Sequence, residues 1–436
     1  MLLEYSFENF KSFKDLNTLS MIGVRSFKEH EPDNIINFKK NKILKSAAIY
    51  GNNASGKSNL VKGLQTMKNF VKTSFKDALE NENEIKIEKY LLSTEREQAP
   101  SSFEISFIQE DTKYRYGFKI DSSKIIEEWL YHTTTREVQL FERHLDEFKI
   151  NKSSFKEGFN LASKTRSNVL FLSLVAQFNG AISNNVIKWF NNVNFISGLQ
   201  DIGYAVYTIE KLKNDERFNK WLSLIIRSLE ISNITIEESE LKDNDIKKIV
   251  KKTDDESLMN FFNALKKLKQ NSRKEIQIST WHKKFDDNNL LVDTIPFDFE
   301  KQESEGTKKF IHLLGPWYDT LKNGKLLIVD ELDSRLHTHL TKKLIELFHK
   351  YNKRKAQLIF TSHDTALLDK DLLRRDQIWF SEKDQFGASQ LYSLADFKTE
   401  DVRKTSSFYK NYLSGKYGAI SFFDIDSHLI DLLYNE

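Results

Sequence analysis

The stretch Ala47-Ala48-Ile49-Tyr50-Gly51-Asn52-Asn53-Ala54-Ser55-Gly56-Lys57-Ser58-Asn59 decides the fold. A short apolar strand runs into a glycine loop, and the loop opens into the periodic segment Asn59 to Phe75, which suits a helix. Residues 51–58 match GxxxxGK[ST] in full, in the strand–loop–helix setting that this pattern requires. Only a backbone without Cβ wraps its N–H groups closely around phosphates, and a helix N-terminus adds positive potential. Gly51, Asn52, Asn53, Ala54, Ser55, Gly56, Lys57, Ser58 and Asn59 are therefore expected to hold a nucleotide. The Lys57 ammonium would reach the β- and γ-phosphates, and the Ser58 hydroxyl would hold Mg²⁺.

Three further stretches fit the same chemistry. Leu326-Leu327-Ile328-Val329-Asp330-Glu331 is an apolar strand that ends in two carboxylates. Asp330 is expected to bind a water of the Mg²⁺ shell and Glu331 to polarise the attacking water. Ser362-His363-Asp364 follows the strand Gln357 to Thr361 and puts His363 at a strand tip, where it could contact a γ-phosphate. Glu303-Ser304-Glu305-Gly306-Thr307-Lys308-Lys309 stands just before a helix. Ser304 and Gly306 have the Ser-x-Gly form in which a hydroxyl, backbone N–H groups and a helix N-terminus make a second anion site. The same four residues, Ser-Glu-Gly-Thr, also serve as a helix cap.

Around these motifs, Leu3, Tyr5 and Phe7 alternate with polar residues and read as an edge hairpin closed by Phe10 and Phe13. FEISFIQ, YRYGFKI and IIEEWLY, between Ser102 and Tyr131, predict an antiparallel β subdomain. Residues 164–275 read as mostly helical, with Leu258, Phe261, Phe262, Leu265 and Leu268 on one face. The polar run Glu237 to Asp255 reads as an exposed loop. From Leu326 onward strands and helices alternate again. The expectation is an α/β P-loop NTPase core split between the two ends of the chain. Its boundaries fall at 1–163, 164–300 (mainly helical) and 301–436.

In 436 residues, 39% are hydrophobic, 30% are charged and 33 are Phe, enough for a sizeable core beneath a solvated surface. The absence of Cys excludes disulfides and thiolate metal sites. MLLEYSFENFKSF lacks the apolar run of a signal peptide, and no window approaches the roughly 20 apolar residues of a membrane span. A cytoplasmic location with no membrane partner is expected. With 66 basic and 63 acidic residues, net charge gives no warrant for a nucleic-acid partner.

Asn9-Phe10-Lys11-Ser12-Phe13, the glycine loop, Ser304 to Lys309, Asp330-Glu331-Leu332-Asp333 and Ser362-His363-Asp364 occur in the order found in RecF- and SMC-like ABC ATPases. Within that branch the chain resembles the abortive-infection AAA-family ATPases, including AbiLi-like proteins and the ATPase subunit of PARIS anti-phage systems. Matching text includes Arg374 to Trp379 and Tyr412 to Ile420.

The resemblance implies that two copies sandwich ATP head to tail, with Ser304 and Gly306 on the partner's nucleotide. It also implies that Asp333 crosses the interface and that Glu331 is the catalytic base. A nucleotide- and metal-contacting Q-loop glutamine is expected as well. Gln177 is the first candidate and Gln139 the second. Glu305 departs from the family by standing where glycine is usual.

The function expected is ATP hydrolysis in an ATP-bridged homodimer or higher homo-oligomer that controls a separately encoded effector in anti-phage defence. One alternative is a DNA-repair or DNA-maintenance ATPase acting directly on DNA, for which Lys247-Lys248, Lys251-Lys252 and Lys266-Lys267 are candidate phosphate contacts. A second is an OLD-type nuclease using Asp424 and Asp426, disfavoured by the short stretch after His363.

Overall fold

The computed structural model describes residues 1–80, 85–240, 274–398 and 407–419. It divides into two compact units, Met1–Asn192 with Ile359–Glu436, and Val193–Leu358. The fold is mixed α/β.

In the first unit, β1 (Leu2–Glu8), β2 (Asn17–Ser20), β6 (Ser101–Gln109), β7 (Thr112–Ile120), β8 (Ile125–Thr133), β9 (Glu137–His144) and β10 (Glu147–Ile150) form an antiparallel sheet. Its order is β10-β9-β8-β7-β6-β1-β2. The strands β3 (Ile35–Phe38) and β4 (Asn41–Leu44) pair separately as a short antiparallel ribbon. The alternation of Leu3, Tyr5 and Phe7 marks the first strand of a β1–β2 hairpin at the edge of the sheet, with β2 outermost and β1 next to β6. Tyr5 faces Leu19 on β2 and Ile105 on β6. The β subdomain expected from residue 102 is present, and β1 and β2 extend it. Phe107 stacks on Trp189 with ring centroids 4.3 Å apart, which fixes the helix Ala181–Asn191 to the sheet.

One buried ion pair ties this sheet to the next helix. Glu128, fully buried on β8, accepts from the Tyr116 hydroxyl at 3.0 Å and from the amides of Phe171 at 2.6 Å and Leu172 at 3.0 Å. The carboxylate thus satisfies the open N–H groups that begin the helix Phe171–Gln177. Arg143, also buried, lies 3.9 Å from it and donates to the Val169 carbonyl at 2.7 Å.

The same unit holds β5 (Ser46–Tyr50) between β16 (Gln357–Thr361) and β17 (Ile378–Lys383), with β18 (Ser389–Ser393) beyond β17. β5 and β17 run parallel, with Ile49 opposite Trp379. All five residues of β5 are buried, as expected of a strand covered on both faces.

In the second unit, β11 (Val193–Ser197) runs parallel to β15 (Leu326–Asp330), Val193 opposite Leu326 and Ser197 opposite Asp330. Beside the helices Ile202–Asn214, Glu216–Ile226, Glu305–Asn323 and Thr338–Tyr351 lies an antiparallel meander of β12 (Ile231–Glu240), β13 (Lys274–Phe285) and β14 (Leu291–Asp298). Pro316 cannot donate to the carbonyl four residues back in its helix, that of His312, and the Thr208 hydroxyl donates to it instead. The repair requires a close helix crossing. A side chain on Gly315 would fall 2.1 Å from the Thr208 hydroxyl.

Helices predominate among the described residues of 164–275, and the meander adds strands that the helical reading did not foresee. Helices fill much of 171–226, but Ile231–Glu240 and Lys274–Phe285 are strands, so Glu237–Glu240 belong to β12 rather than to a loop. Within 231–240 the β-branched Ile231, Ile234, Thr235 and Ile236 sit among Asn, Ser and Glu, a weak period-2 pattern that the helical spacing at 258–268 overshadowed. That stripe (Leu258, Phe261, Phe262, Leu265, Leu268), the rest of the polar run, the lysine pairs, Asp424, Asp426 and Ile420 lie outside the described residues. Among the described residues, no helix is long and apolar enough to cross a membrane.

Candidate functional site

The glycine loop leaves β5 at Gly51 and enters the helix Lys57–Glu80. Gly51 has φ +150° and Gly56 φ +112°, and Ala54 takes the left-handed region at +61°. Space demands the glycines as well as torsion. A Cβ on Gly51 would lie 2.1 Å from the Ser381 carbonyl oxygen, and one on Gly56 would lie 2.5 Å from the Ser389 hydroxyl. The Ser381 hydroxyl donates to the Ser55 carbonyl at 2.9 Å, clamping the loop to β17.

The buried Lys57 ammonium donates to the carbonyls of Gly51 at 2.6 Å and Asn52 at 2.8 Å. The Ser55 hydroxyl is buried with no hydrogen-bond partner among the described residues. A cation folded over the loop, a loose hydroxyl, and an N–H-lined turn at the start of a helix make a donor set suited to phosphate oxygens.

The turn after β1 closes the other side. Phe10 and Phe13 exchange backbone hydrogen bonds at 2.9 Å each, with Asn9 and Lys11 at positive φ. This aims Ser12 at the loop, where its hydroxyl accepts from the Asn59 amide at 2.8 Å and meets the Ser389 hydroxyl at 2.8 Å. Beside it opens a cleft of about 690 Å³ lined by Lys11, Ser12, Asn59, Glu88, Tyr90, Lys383 and Gly387, among others. Ser12, Ser381 and Ser389 are contacts that sequence reasoning did not assign. A serine in a turn or on a strand gives no local signal of such a contact.

His363 is exposed one residue past Ser362, whose amide donates to the Ile49 carbonyl at 3.1 Å. That bond sets the histidine next to the end of β5. Gln177 is exposed at the C-terminus of its helix. The nearby Ser173 hydroxyl donates at 2.6 Å to Val71, a residue about 21 Å along the helix axis from Lys57. Gln139 lies on β9, where its carbonyl accepts from Asn151.

In the second unit, Leu327, Ile328 and Val329 are buried and β15 ends at the half-buried Asp330. Glu331 follows at φ +58° and Arg335 at +56°, left-handed conformations that cost a non-glycine residue about 1–2 kcal/mol. Gly198, just after β11, donates its amide to the Asp330 carbonyl at 2.6 Å. Any side chain there would fall 1.9 Å from the Glu331 carbonyl oxygen. Asp333 lies in the turn that follows and accepts from the Leu336 amide at 3.0 Å.

Ser304 caps the helix Glu305–Asn323, its hydroxyl accepting from the Thr307 amide at 3.1 Å. The cap is exposed, and Gly306 behind it packs close to the Arg335 carbonyl, whose oxygen would lie 3.3 Å from a Cβ on Gly306. The carboxylate of Glu305 is drawn back to Lys308 and Arg335.

A family model described as "AAA domain, putative AbiEii toxin, Type IV TA system" matches residues 46–369. The chain belongs to this AAA family. The matched range contains the glycine loop, Ser304, Gly306, Asp330, Glu331 and His363. Among solved structures, the chain is similar to the SMC head domain from Thermotoga maritima, at 13% identity over 90% of this chain and 98% of that one, with a TM-score of 0.40. It is also similar to the Smc head domain with an extended coiled coil, bound to the C-terminal domain of ScpA, from Pyrococcus furiosus. That likeness is at 12% identity over 92% and 98%, with a TM-score of 0.31. No curated protein matches the chain.

Proposed function

We propose that the chain hydrolyses ATP to ADP and phosphate, with two copies joined head to tail around the nucleotide. The glycine loop supports this best: Gly51 and Gly56 leave no room for a side chain, Lys57 folds over the loop, and Ser55 keeps an unpartnered hydroxyl. Residues 51–59 would hold the triphosphate, and the cleft beside Ser12 and Asn59 would take the base and ribose.

The Ser58 hydroxyl and the Asp330 carboxylate are oxygen donors of the kind Mg²⁺ takes, and the ion would neutralise charge on the phosphates. Glu331 would orient and polarise the attacking water, and His363 would contact the γ-phosphate. The exposed serine cap at Ser304 and Gly306 would meet the nucleotide of the partner copy, with Asp333 at the shared face. Tying Glu305 back to Lys308 and Arg335 removes part of the repulsion that its carboxylate would otherwise present to phosphate.

ATP would then act as a joint between copies that hydrolysis releases, a two-state assembly that another protein can read. The family's description names a putative toxin of a toxin–antitoxin system; the defence role, with a separate effector under this chain's control, rests on the resemblance of its motifs to abortive-infection ATPases. The test is Glu331→Gln with ATP. Expected are a stable dimer by light scattering and hydrolysis reduced at least 100-fold. An unaltered hydrolysis rate removes Glu331 from this role, and a monomer at saturating ATP removes the head-to-tail pair.

A further inference from the structure

Lys309 is the only lysine in the second unit that is both 1% exposed and bonded to two backbone turns among the described residues. It lies on the helix Glu305–Asn323, five positions past the Ser304 cap. Its Nζ donates to the Gly198 carbonyl at 2.7 Å and to the Ser334 carbonyl. Each acceptor is itself locked to the acidic turn. Gly198 donates to the Asp330 carbonyl at 2.6 Å, and the Ser334 amide donates to the Glu331 carbonyl at 3.2 Å. One ammonium therefore grips both flanks of a turn whose Glu331 and Arg335 have positive φ, and such strained backbone persists only where its surroundings over-determine it.

A buried charge is costly, and a purely apolar contact would fill the space more cheaply. Burial pulls the Lys309 ammonium down to about 8, with Asp201, Asp333 and Glu331 opposing the shift and Arg335 adding to it. Arg335 provides a second, exposed link, pairing with Asp201 at 2.7 Å and approaching Glu305 at 3.8 Å. Residues at the beginning of one helix are thus joined to the acidic turn through side chains on both of its sides.

We propose that Lys309 is a positioning residue that holds the 330–335 turn in its left-handed conformation and so joins the placement of Glu331 to the helix that carries the serine cap. The inference rests on the reading of Glu331 as the base. Lys309 touches none of the reacting atoms, and its effect falls on turnover rather than on nucleotide affinity.

The test is Lys309→Met in the full chain. Amide hydrogen exchange in peptides spanning 196–201 and 330–336 is expected to rise at least tenfold, with the remainder of the chain unchanged. kcat is expected to fall at least tenfold while KM and ADP affinity by calorimetry stay within threefold, and Lys309→Arg recovers part of the loss. Unchanged exchange at 330–336, exchange rising uniformly along residues 193–358, or a parallel loss of kcat and nucleotide affinity each overturns the proposal.

Gly198→Ala reaches the same turn by another route, because its Cβ must displace the Glu331 carbonyl, and it serves if Lys309→Met does not fold. Wild-type kcat in Gly198→Ala likewise overturns the proposal. A wild-type chain that hydrolyses no ATP sinks the reading of the site, while the exchange arm still decides whether Lys309 holds the turn.

Discussion

The hydroxyls of Ser12 and Ser389 lie 2.8 Å apart, over the position that a side chain on Gly56 would fill. The turn after the first strand and the last strand of the sheet thus roof the glycine loop together, and the loop can be attacked from either side. Gly56→Ala places a Cβ 2.5 Å from the Ser389 hydroxyl at φ +112°. Strain of about 1–3 kcal/mol predicts at least tenfold weaker ADP binding by calorimetry. Ser12→Ala removes the acceptor for Asn59 and costs about 1 kcal/mol, or roughly fivefold in affinity.

Ser304 separates two roles. An aspartate accepts from the Thr307 amide as a serine does, so Ser304→Asp is expected to keep the unfolding free energy within about 0.5 kcal/mol of wild type. Its negative charge repels phosphate, so ATP-driven association by light scattering is expected to vanish. Association that survives would leave Ser304 as a helix cap alone.

Acid should weaken the second unit through His312. Burial pulls its imidazole down to about 3, and Nε2 has no hydrogen-bond partner among the described residues. The unfolded histidine takes a proton near pH 6.5, so between 6.5 and about 3 the unfolded state binds more protons. Stability present above pH 6.5 is lost as pH falls, by about 2 kcal/mol at pH 5. Urea midpoints measured from pH 7.5 to 5 should show this slope, and His312→Phe should flatten it.

Glu128 and Arg143 form a buried pair in the first unit. Burial raises its pKa, while Arg143, the Leu172 and Phe171 amides and the Tyr116 hydroxyl favour the charged form. Glu128→Ala strands the Arg143 guanidinium and three donors, at a cost of about 3–5 kcal/mol. Glu128→Gln keeps acceptor oxygen for some of these donors and should cost less than Glu128→Ala in urea unfolding. Equal stability of all three proteins would show the pair to be dispensable.

What could be read from the chain in advance was local. The glycine loop announces itself because phosphate-binding geometry needs its residues in one unbroken run, and β15 because four apolar residues end in Asp330-Glu331. Ser304 was legible as a cap for the same reason: the hydroxyl and the amide it serves are three residues apart. The Gly198 contact was not, because it arises from the parallel pairing of β11 with β15, between segments that share no sequence signal. Lys309 reads as one more charge in Lys308-Lys309 until the fold buries it. The meander was missed because its residues carry too little period-2 contrast to outweigh the helices around them.

Ser12 and Ser389 are separated by 377 positions. A ribosome delivers the first long before the second, so an emerging chain has its glycine loop in hand while half of the roof is still unmade. Whatever support this roof lends the loop therefore reaches only molecules whose translation has passed Ser389.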